Sequence, residues 1–515
     1  LDYTHDAAGR VTAITDQAGN RVTYTLDAAG HRVETRVSDA SAAVVREHRR
    51  VFDALGRLIR SVGAQGQATR HAYDTAGHRT ATTDPGGART TRAFDALGRL
   101  ARSTDAAGGV TTYARDAADR LTAVTDPAGH TTRYTYNGLG DRIRVESPDA
   151  ATTTYQHDAA GNVIAETDAR GRTTTYTRDA LGRITAATHA DGTTVTYTRD
   201  EGAHGIGRLA RIAEASGTTA WRYNAHGDVI ERRQRADGVT LTTTHTHDPA
   251  GRRTATTLPS GREITYTHRA DDVVAIAVDG EPVLADVTYQ PFGPVSGWRW
   301  GDGDVDAREF DRDGRLVAHT MPGGERALAY RADGPITSIS GPEREHTYAY
   351  DGLDRLVAAS GDGLAQRYAY DANGNRLSRT DGATTTTYTL AAASNRLLAR
   401  DGVAYTHDAA GHLVADGEHT YSYDARGRLV AVDGGETARY RYNALGERVY
   451  KRAGEPVPDY AALAADAEAR ARAHTTDAEA YEAEAGAARS DAEAAERRAE
   501  QAEAERDRAR TEEAA

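Results

Sequence analysis

One four-residue phrase, Asp-x-x-Gly, returns along this chain every ten or eleven residues. Early copies are DAAGRVTAI from Asp6, DQAGNRVTY from Asp16 and DAAGHRVET from Asp27. The same beat recurs at Asp95, Asp105, Asp116, Asp126 and Asn137, then at Asp158, Asp168 and Asp179. The full period is therefore about 21 residues, built from two unequal halves. This spacing constrains the fold more than any other feature. No half-unit leaves room for a helix of ordinary length, which excludes a helical solenoid. Five to seven residues between turns match an ordinary β-strand.

The intervening residues read as strands. RTTTYTRD (172–179) and HTTRYTYN (130–137) alternate as half-buried strands do. Val22, Tyr24 and Leu26 share one face, and Thr23 and Thr25 the other. Asp accepts hydrogen bonds from backbone N–H groups just beyond it, and Gly tolerates the positive φ that tight turns need. A single strand–turn–strand unit cannot bury its apolar face, so neighbours must stack into one long sheet, coiled by its own twist. The period alone leaves a barrel, a solenoid and a wide shell all open.

Most full units place an aromatic just before the first Asp or Asn of the phrase. Tyr73-Asp74 with Gly77, Phe94-Asp95 with Gly98, and Tyr370-Asp371 with Gly374 and Leu377 are examples. Tyr423-Asp424 with Gly427 and Tyr442-Asn443 with Gly446 repeat the arrangement. Asp and Gly are expected to form the turn, and Tyr and Leu to pack the wall. Some copies change the aromatic, as in His5-Asp6 and His157-Asp158, and others put Asp where Gly is usual, as in DAAD and DGLD.

These residues resemble the YD repeats of the bacterial Rhs family, which are similar to those of the teneurin cell-surface proteins. The family unit runs Tyr-Asp-x-x-Gly-x-Leu, then a strand and often Asp-Pro-x-Gly. YDANGNRL (370–377), YDARGRLV (423–430) and YNALGERV (442–449) match its first half; DPGG at Asp84 and DPAG at Asp126 match its second. The segment YQPFGPVSGWRWGDG (289–303), with Pro291, Phe292, Gly293, Pro294, Trp298 and Trp300, is similar to an element of Rhs-type proteins. Prolines and Gly293 interrupt strand pairing there, and the tryptophans on alternate residues suit packing on one face; a carbohydrate-binding aromatic pair is the other reading.

The resemblance implies an all-β fold: tandem strand–turn–strand units in a spiralled sheet or partial hollow shell. The expected divisions are repeats at 1–288, the Pro-Phe-Gly-Pro and Trp element at 289–303, repeats at 304–454 and a tail at 459–515. It also implies a structural role: a shell segment that encloses or delivers a toxin made on the same polypeptide, with secretion machinery as a further partner. The sought Asp-Pro-x-Gly-Leu closing motif of the family is not found, so a partial shell is expected. No signal peptide is recognised, and the chain is expected to be a section of a longer, secreted or surface-exposed polypeptide. An extracellular adhesion or carbohydrate-binding module and a β-solenoid glycosidase are the competing readings.

The tail changes character. From Asp459 onward there are 16 acidic and 8 basic residues, and beyond Leu463 no Leu, Ile, Val, Phe or Met. Ala and Glu favour helix, so an Ala/Glu-rich helix is expected; self-association through poor alanine seams and a disordered linker are the alternatives. A compact domain has no core to form there.

Composition removes other classes. With no Cys there is no disulfide framework, thiolate site or Cys nucleophile, and a net charge of −13 gives no basic patch for nucleic acid. No apolar run is long enough for a transmembrane helix. His245, His247 and Asp248 form a partial zinc set lacking a recognisable third ligand type; His at 247 also fits ordinary repeat variation. Ser296 lacks a nucleophile elbow. Asp302 and Asp304 are a carboxylate pair in a Gly-rich turn, where Asp is expected anyway. No catalytic residue, metal or cofactor is expected.

Overall fold

The stretch Asp74-Thr75-Ala76-Gly77-His78 shows how the phrase closes a hairpin. The Gly77 N–H donates to the Asp74 carbonyl at 3.2 Å, and the Asp74 N–H to the His78 carbonyl at 3.0 Å. The Asp74 carboxylate accepts from the Ala76 and His78 N–H groups at 3.0 and 2.9 Å. Gly77 sits at φ 91°, in the left-handed region that a side chain resists. A tight turn followed by a left-handed bulge residue is the common three-residue hairpin loop. The bulge is visible in the register: Tyr73 pairs with Arg79, then Ala72 with Ala81. Where the sequence writes Asp for Gly, Asp119 and Asp354 take the left-handed conformation themselves, at φ 67° and 61°.

The computed structural model describes residues 1–453 apart from Asp237, Pro322 and Glu343; the tail helix expected at 459–515 lies outside the described residues. The chain divides into two units. The first comprises Leu1–Gly435 and Tyr440–Lys451, and it carries everything discussed below. Of the second, only Glu436–Arg439, Arg452 and Ala453 are described.

Strands from Asp2–His5 to Val403–Ala404 form one 39-stranded sheet in which each strand pairs antiparallel with the next. Sequential hairpins need no crossover helix. Further pairs follow, such as Tyr421–Tyr423 with Leu429–Val432. In Thr131–Tyr136, Thr132, Tyr134 and Tyr136 are half-buried, while Arg133 and Thr135 are exposed. Apart from Ile212, the buried apolar residues are Ala and Val, among them Ala13, Val37, Ala81 and Val195, and no aromatic side chain among the described residues is buried. This is a single layer of sheet. Ladder hydrogen bonds and cross-strand pairs, not a thick core, hold it.

The layer coils back on itself. Hydrogen bonds join residues far apart in sequence, at separations of about 250 along most of the seam and falling to 226 at Ser216–Tyr442 and 215 at Arg232–Glu447. Arg46 reaches the Phe292 carbonyl, the Ala64 N–H reaches Asp313, and Asn373 reaches Asp126, at separations of 246, 249 and 247 residues. Asn395 meets Asp149 at 246, and Arg172 meets the Asp424 carbonyl at 252. A lap of the coil thus takes roughly 250 residues, and a second lap lies along the first.

Two turn edges bound the sheet: the aromatic-turn edge and the second-half edge. In most of the first lap both kinds of turn are long, the exceptions being three residues between Ser147 and Ala151 and two between Glu214 and Gly217. Thr83 pairs with Arg89 and Thr125 with Thr131, with five residues between. Further along the second lap the second-half turns shrink from the five residues between Arg299 and Val305 to two, because Gly361 pairs with Leu364, Asp381 with Thr384 and Arg400 with Val403. The contacts between laps join the second-half edge of the first to the aromatic-turn edge of the second.

Leu377 departs from the expected wall position. Tyr370 pairs with Arg376, so Arg376 takes the register place that Leu58 holds opposite Phe52. Adjacent strand residues face opposite ways, and Leu377 is left 40% exposed. The extra residue in Gly-Asn-Arg-Leu is the cause.

Candidate functional site

The repeated side chains build a ladder along the aromatic-turn edge. Most Tyr of the slot donate their hydroxyl to the carbonyl of the residue that starts the preceding strand. Tyr73 reaches Leu58, Tyr370 reaches Leu356 and Tyr423 reaches Leu413, each at 2.8 Å. The family's spacing of Tyr and Leu thus records one hydrogen bond between neighbouring repeats. Where Arg fills the slot it makes the same bond: Arg115 to Leu100 at 2.8 Å, Arg178 to Val163 at 3.0 Å and Arg199 to Ile184 at 2.7 Å. Phe94 has no hydroxyl and instead stacks on His78, with ring centres 4.7 Å apart.

A second group, four residues after the Asp, ties one turn to the next. Arg99 pairs with Asp95 at 2.7 Å, and this hydrogen bond, with that of the Arg99 N–H, lowers the Asp95 carboxyl to about 2. Arg355 pairs with Asp371's neighbour in the ladder, Asp351, at 2.7 Å, lies over the Tyr370 ring at 5.0 Å and donates to the Asp371 carbonyl at 2.7 Å. Arg428 does the same between Asp424, the Tyr442 ring and the Asn443 carbonyl. Charge-assisted bonds and cation–π contacts of this kind are individually modest but repeat along the edge. Gly98, Gly374, Gly427 and Gly446 all take positive φ at their turns.

Asn373 shows what the variable positions do. Its N–H donates to Asp371 at 2.9 Å within the turn. Its side-chain amide crosses the seam to Asp126 at 2.8 Å and reaches Asn395 at 2.7 Å. Sequence reading assigns Asp371 and Gly374 but misses Asn373, because its partner lies 247 residues away.

A cavity of about 170 Å³ opens on the seam. His189, Asp191 and Glu214 line it from the first lap, and Asp424, Arg426 and Arg428 from the second. Burial lowers His189 and raises Glu214 from their usual ranges. The opposite charges answer one another, with Arg428 on Asp424 at 2.7 Å and Arg426 at 3.9 Å from Glu214.

The other sequence candidates fall into the scaffold. A His245 ring nitrogen lies 3.0 Å from the Thr256 hydroxyl, and Asp248 anchors its turn through Arg252. Ser296 donates to the Thr288 hydroxyl at 3.1 Å, and Asp302 accepts from the Asp304 N–H at 3.1 Å. Among the described residues, Asp84, Asp333 and Asp354 form a three-carboxylate cluster, and Arg331 pairs with the latter two. The Pro-Phe-Gly-Pro element is a turn of the same plan with Gln290 in place of Asp: the Gln290 N–H donates to Pro294, and Gly293 to Gln290, both at 2.9 Å. Phe292 occupies the left-handed region at φ 48° and accepts from Arg46 across the seam. Trp298 and Trp300 meet edge to face at 5.7 Å, and the Arg308 guanidinium covers Trp298 at 4.5 Å.

Comparison with known proteins agrees with this architecture. The RHS Repeat family model matches seven stretches: 5–44, 52–89, 94–131, 115–152, 136–173, 157–194 and 223–263. The Teneurin YD-shell model matches residues 335–456. No curated protein matches significantly. Among solved structures, a TcdB2-TccC3-TEV crystal structure superposes with a TM-score of 0.74 at 17% identity, over 89% of this chain and 30% of that one. A TcdB2-TccC3 crystal structure gives 0.73 at 18%, over 87% and 30%. A Photorhabdus luminescens Tc holotoxin pore gives 0.71 at 16%, over 88% and 30%. The chain therefore spans about a third of the length of these structures, and the likeness is one of fold.

Proposed function

Because this chain is an RHS/YD-repeat protein, we propose that it serves as a wall segment of a container for a toxic domain carried on the same polypeptide. The observation that carries this reading is the seam. A single-layer sheet with no thick core is a poor support for a catalytic site but a sound wall, and edge-to-edge docking of successive laps turns a ribbon into a surface. The family membership and the fold of Tc toxin components support a toxin-related wall over a general adhesive one. We extend the reading to a secreted or surface-exposed setting, to delivery by secretion machinery and to a non-enzymatic role for the repeats.

The test uses the complete polypeptide, with its C-terminal toxic domain, in bacterial competition and in limited proteolysis. With the repeats intact, the toxic domain should resist protease and kill the competing strain. Removal of residues 1–453 should expose it to protease. A toxic domain equally resistant and equally potent without them would overturn the container reading.

A further inference from the structure

Two departures from the repeat face one another across the seam. On the first lap the loops at Asp84, Asp105, Asp126 and Asp168 hold five residues between paired strands, but only three separate Ser147 from Ala151. On the second lap Asp311, Asp351, Asp371, Asp408 and Asp424 each begin a turn, but the turn opposite this short loop begins with Ala391 and continues Ala392-Ala393. It is also one residue longer: the Ala391 N–H donates to the Arg396 carbonyl at 2.8 Å, whereas the Asp371 N–H donates to Asn375. The two irregular turns are joined, because the Asn395 N–H and the Arg396 Nε both bond Asp149 at 2.7 Å. Beside the junction opens a cavity of about 600 Å³, within the size range of ligand sites. A short loop and a turn of small side chains leave room that regular copies would occupy. Local rules tend to be broken where a chain has something besides folding to do.

One side of the cavity is aliphatic and small, made by Ala128, Pro148, Ala151, Ala392 and Ala393. The polar side is unequal in charge. Glu146 lines it but is paired with Arg144 at 2.6 Å. Arg133 stands opposite Glu146 in the strand ladder, is exposed, and has no hydrogen-bonded or ionic partner among the described residues. Ser147 accepts from the Asp149 and Ala150 N–H groups at 3.1 and 3.3 Å, so its own O–H remains as a donor at the wall. The His130 ring ties the laps together at the same place, its Nε2 lying 3.4 Å from the Ala392 carbonyl.

An uncommitted guanidinium suits a carboxylate, because its paired N–H groups match the two oxygens. A single such cation, with the Glu146 carboxylate alongside, is poorly suited to a polyanion. The Ala and Pro surface takes a short aliphatic body. We infer that this cavity binds a small aliphatic carboxylate, supplied either as a free acid or as the C-terminal end of a peptide finishing in alanine-sized residues. Its carboxylate pairs with Arg133, and its aliphatic part lies against Pro148, Ala392 and Ala393. The site stands apart from the container reading and does not depend on it.

Ligand-observed NMR on the full chain tests the inference. Propionate represents the free acid and N-acetyl-alanyl-alanine the peptide end, and the C-terminal amide of that peptide is its uncharged copy. At least one of the two carboxylates should bind saturably up to millimolar levels, the tighter one naming the source, and the amide should bind about tenfold more weakly or not at all. Arg133→Gln should weaken the carboxylate about tenfold, the loss expected for one charge-assisted bond, with an unchanged thermal transition. Ala392→Trp fills the cavity and should abolish binding. Arg102→Gln, at an exposed strand arginine elsewhere on the sheet, should leave binding as it is. No saturable binding of either carboxylate by the folded chain overturns the inference. Binding that Arg133→Gln leaves intact overturns it equally, as does inorganic phosphate binding as tightly as the carboxylates.

Discussion

The two laps use the same aromatic turn but close their second halves differently. Between Tyr73 and Arg199 the unit is 21 residues and its turns are five-residue loops, apart from the three residues between Ser147 and Ala151; from Tyr330 to Leu390 it is 20, and the second turn has only two residues. Each second-lap strand is correspondingly longer, as in Arg376–Asp381 and Thr384–Leu390 against Leu121–Thr125 and Thr131–Tyr136. The long turns are those that meet the next lap, at Asp84, Asp126 and Asp168. The short ones at Gly361, Asp381 and Arg400 lie on the other edge. Most of the docking edge carries its side chains on wide loops; the exception is the two-residue turn between Glu214 and Gly217, whose Ser216 hydroxyl still reaches the Tyr442 carbonyl at 3.1 Å. Short turns also guard against stray strand pairing, since hairpin tips expose little unpaired backbone.

Substitutions at matched positions should separate the laps, most strongly at the turn glycines. Gly98 has φ 76°, and a Cβ there would lie 2.6 Å from His78 Nε2, whereas Gly374, at φ 87°, has open space around it. Both Gly→Ala changes should cost about 1–2 kcal/mol from backbone strain. Gly98→Ala should cost more, because His78 must leave its stack on Phe94. Denaturant unfolding of both variants measures the difference; equal costs would show that the His78 stack contributes nothing.

The seam comes next. Asn373→Ala should lose about 1–2 kcal/mol by stranding Asp126 and Asn395, and hydrogen exchange should speed up around residues 126–130. The matching first-lap change, Leu97→Ala, should stay within about 0.5 kcal/mol in the monomer. Smaller than the Asn373 effect is Tyr370→Phe, which removes the bond to the Leu356 carbonyl and should cost about 0.5–1.5 kcal/mol.

Acid should weaken both laps, with a definite sign. Burial lowers His48, His71 and His189 below the ordinary imidazole value of 6.5. The unfolded chain then binds protons first, so stability begins to fall as pH drops below 6.5. Turn carboxylates such as Asp53, Asp116 and Asp179 are held low by hydrogen bonds to Arg57, Arg120 and Arg183. The stability they give is present above the unfolded value of 3.8 and is lost as pH falls through their lowered folded values; for Asp95 that value is about 2. His419, raised by Asp433, acts in the opposite sense, giving stability that is lost as pH rises through its folded value. A melting temperature that climbs on acidification from pH 6.5 to 3 would contradict this balance.

Much of this was legible in the sequence because it is local. Asp74 and Gly77 act within five residues, so composition and spacing reveal the turn, and the alternation around Tyr134 reveals the strand faces. The partner of each slot Tyr was less evident, since Tyr73 and Leu58 are joined by register and not by adjacency. The seam was not legible. Asn373, Asp313 and Arg172 occupy positions that vary from repeat to repeat, and what they touch depends on how many strands complete a lap, a property of accumulated twist that no single repeat records. The one-residue insertion before Leu377 shows the reverse problem: the motif is recognisable while the register has moved.

The coil itself can be tested by cross-linking, because the chain has no cysteine to interfere. The Ala128 N–H donates to the Asn373 side chain at 3.1 Å across a separation of 245 residues. An Ala128→Cys, Asn373→Cys double variant treated with a short bis-maleimide should give an intrachain cross-link in the monomer fraction, seen as a joined peptide pair by mass spectrometry. Each single variant should give none. Two freely labelled thiols and no joined pair in the folded double variant would mean that the laps do not dock, and the account of the wall would fail.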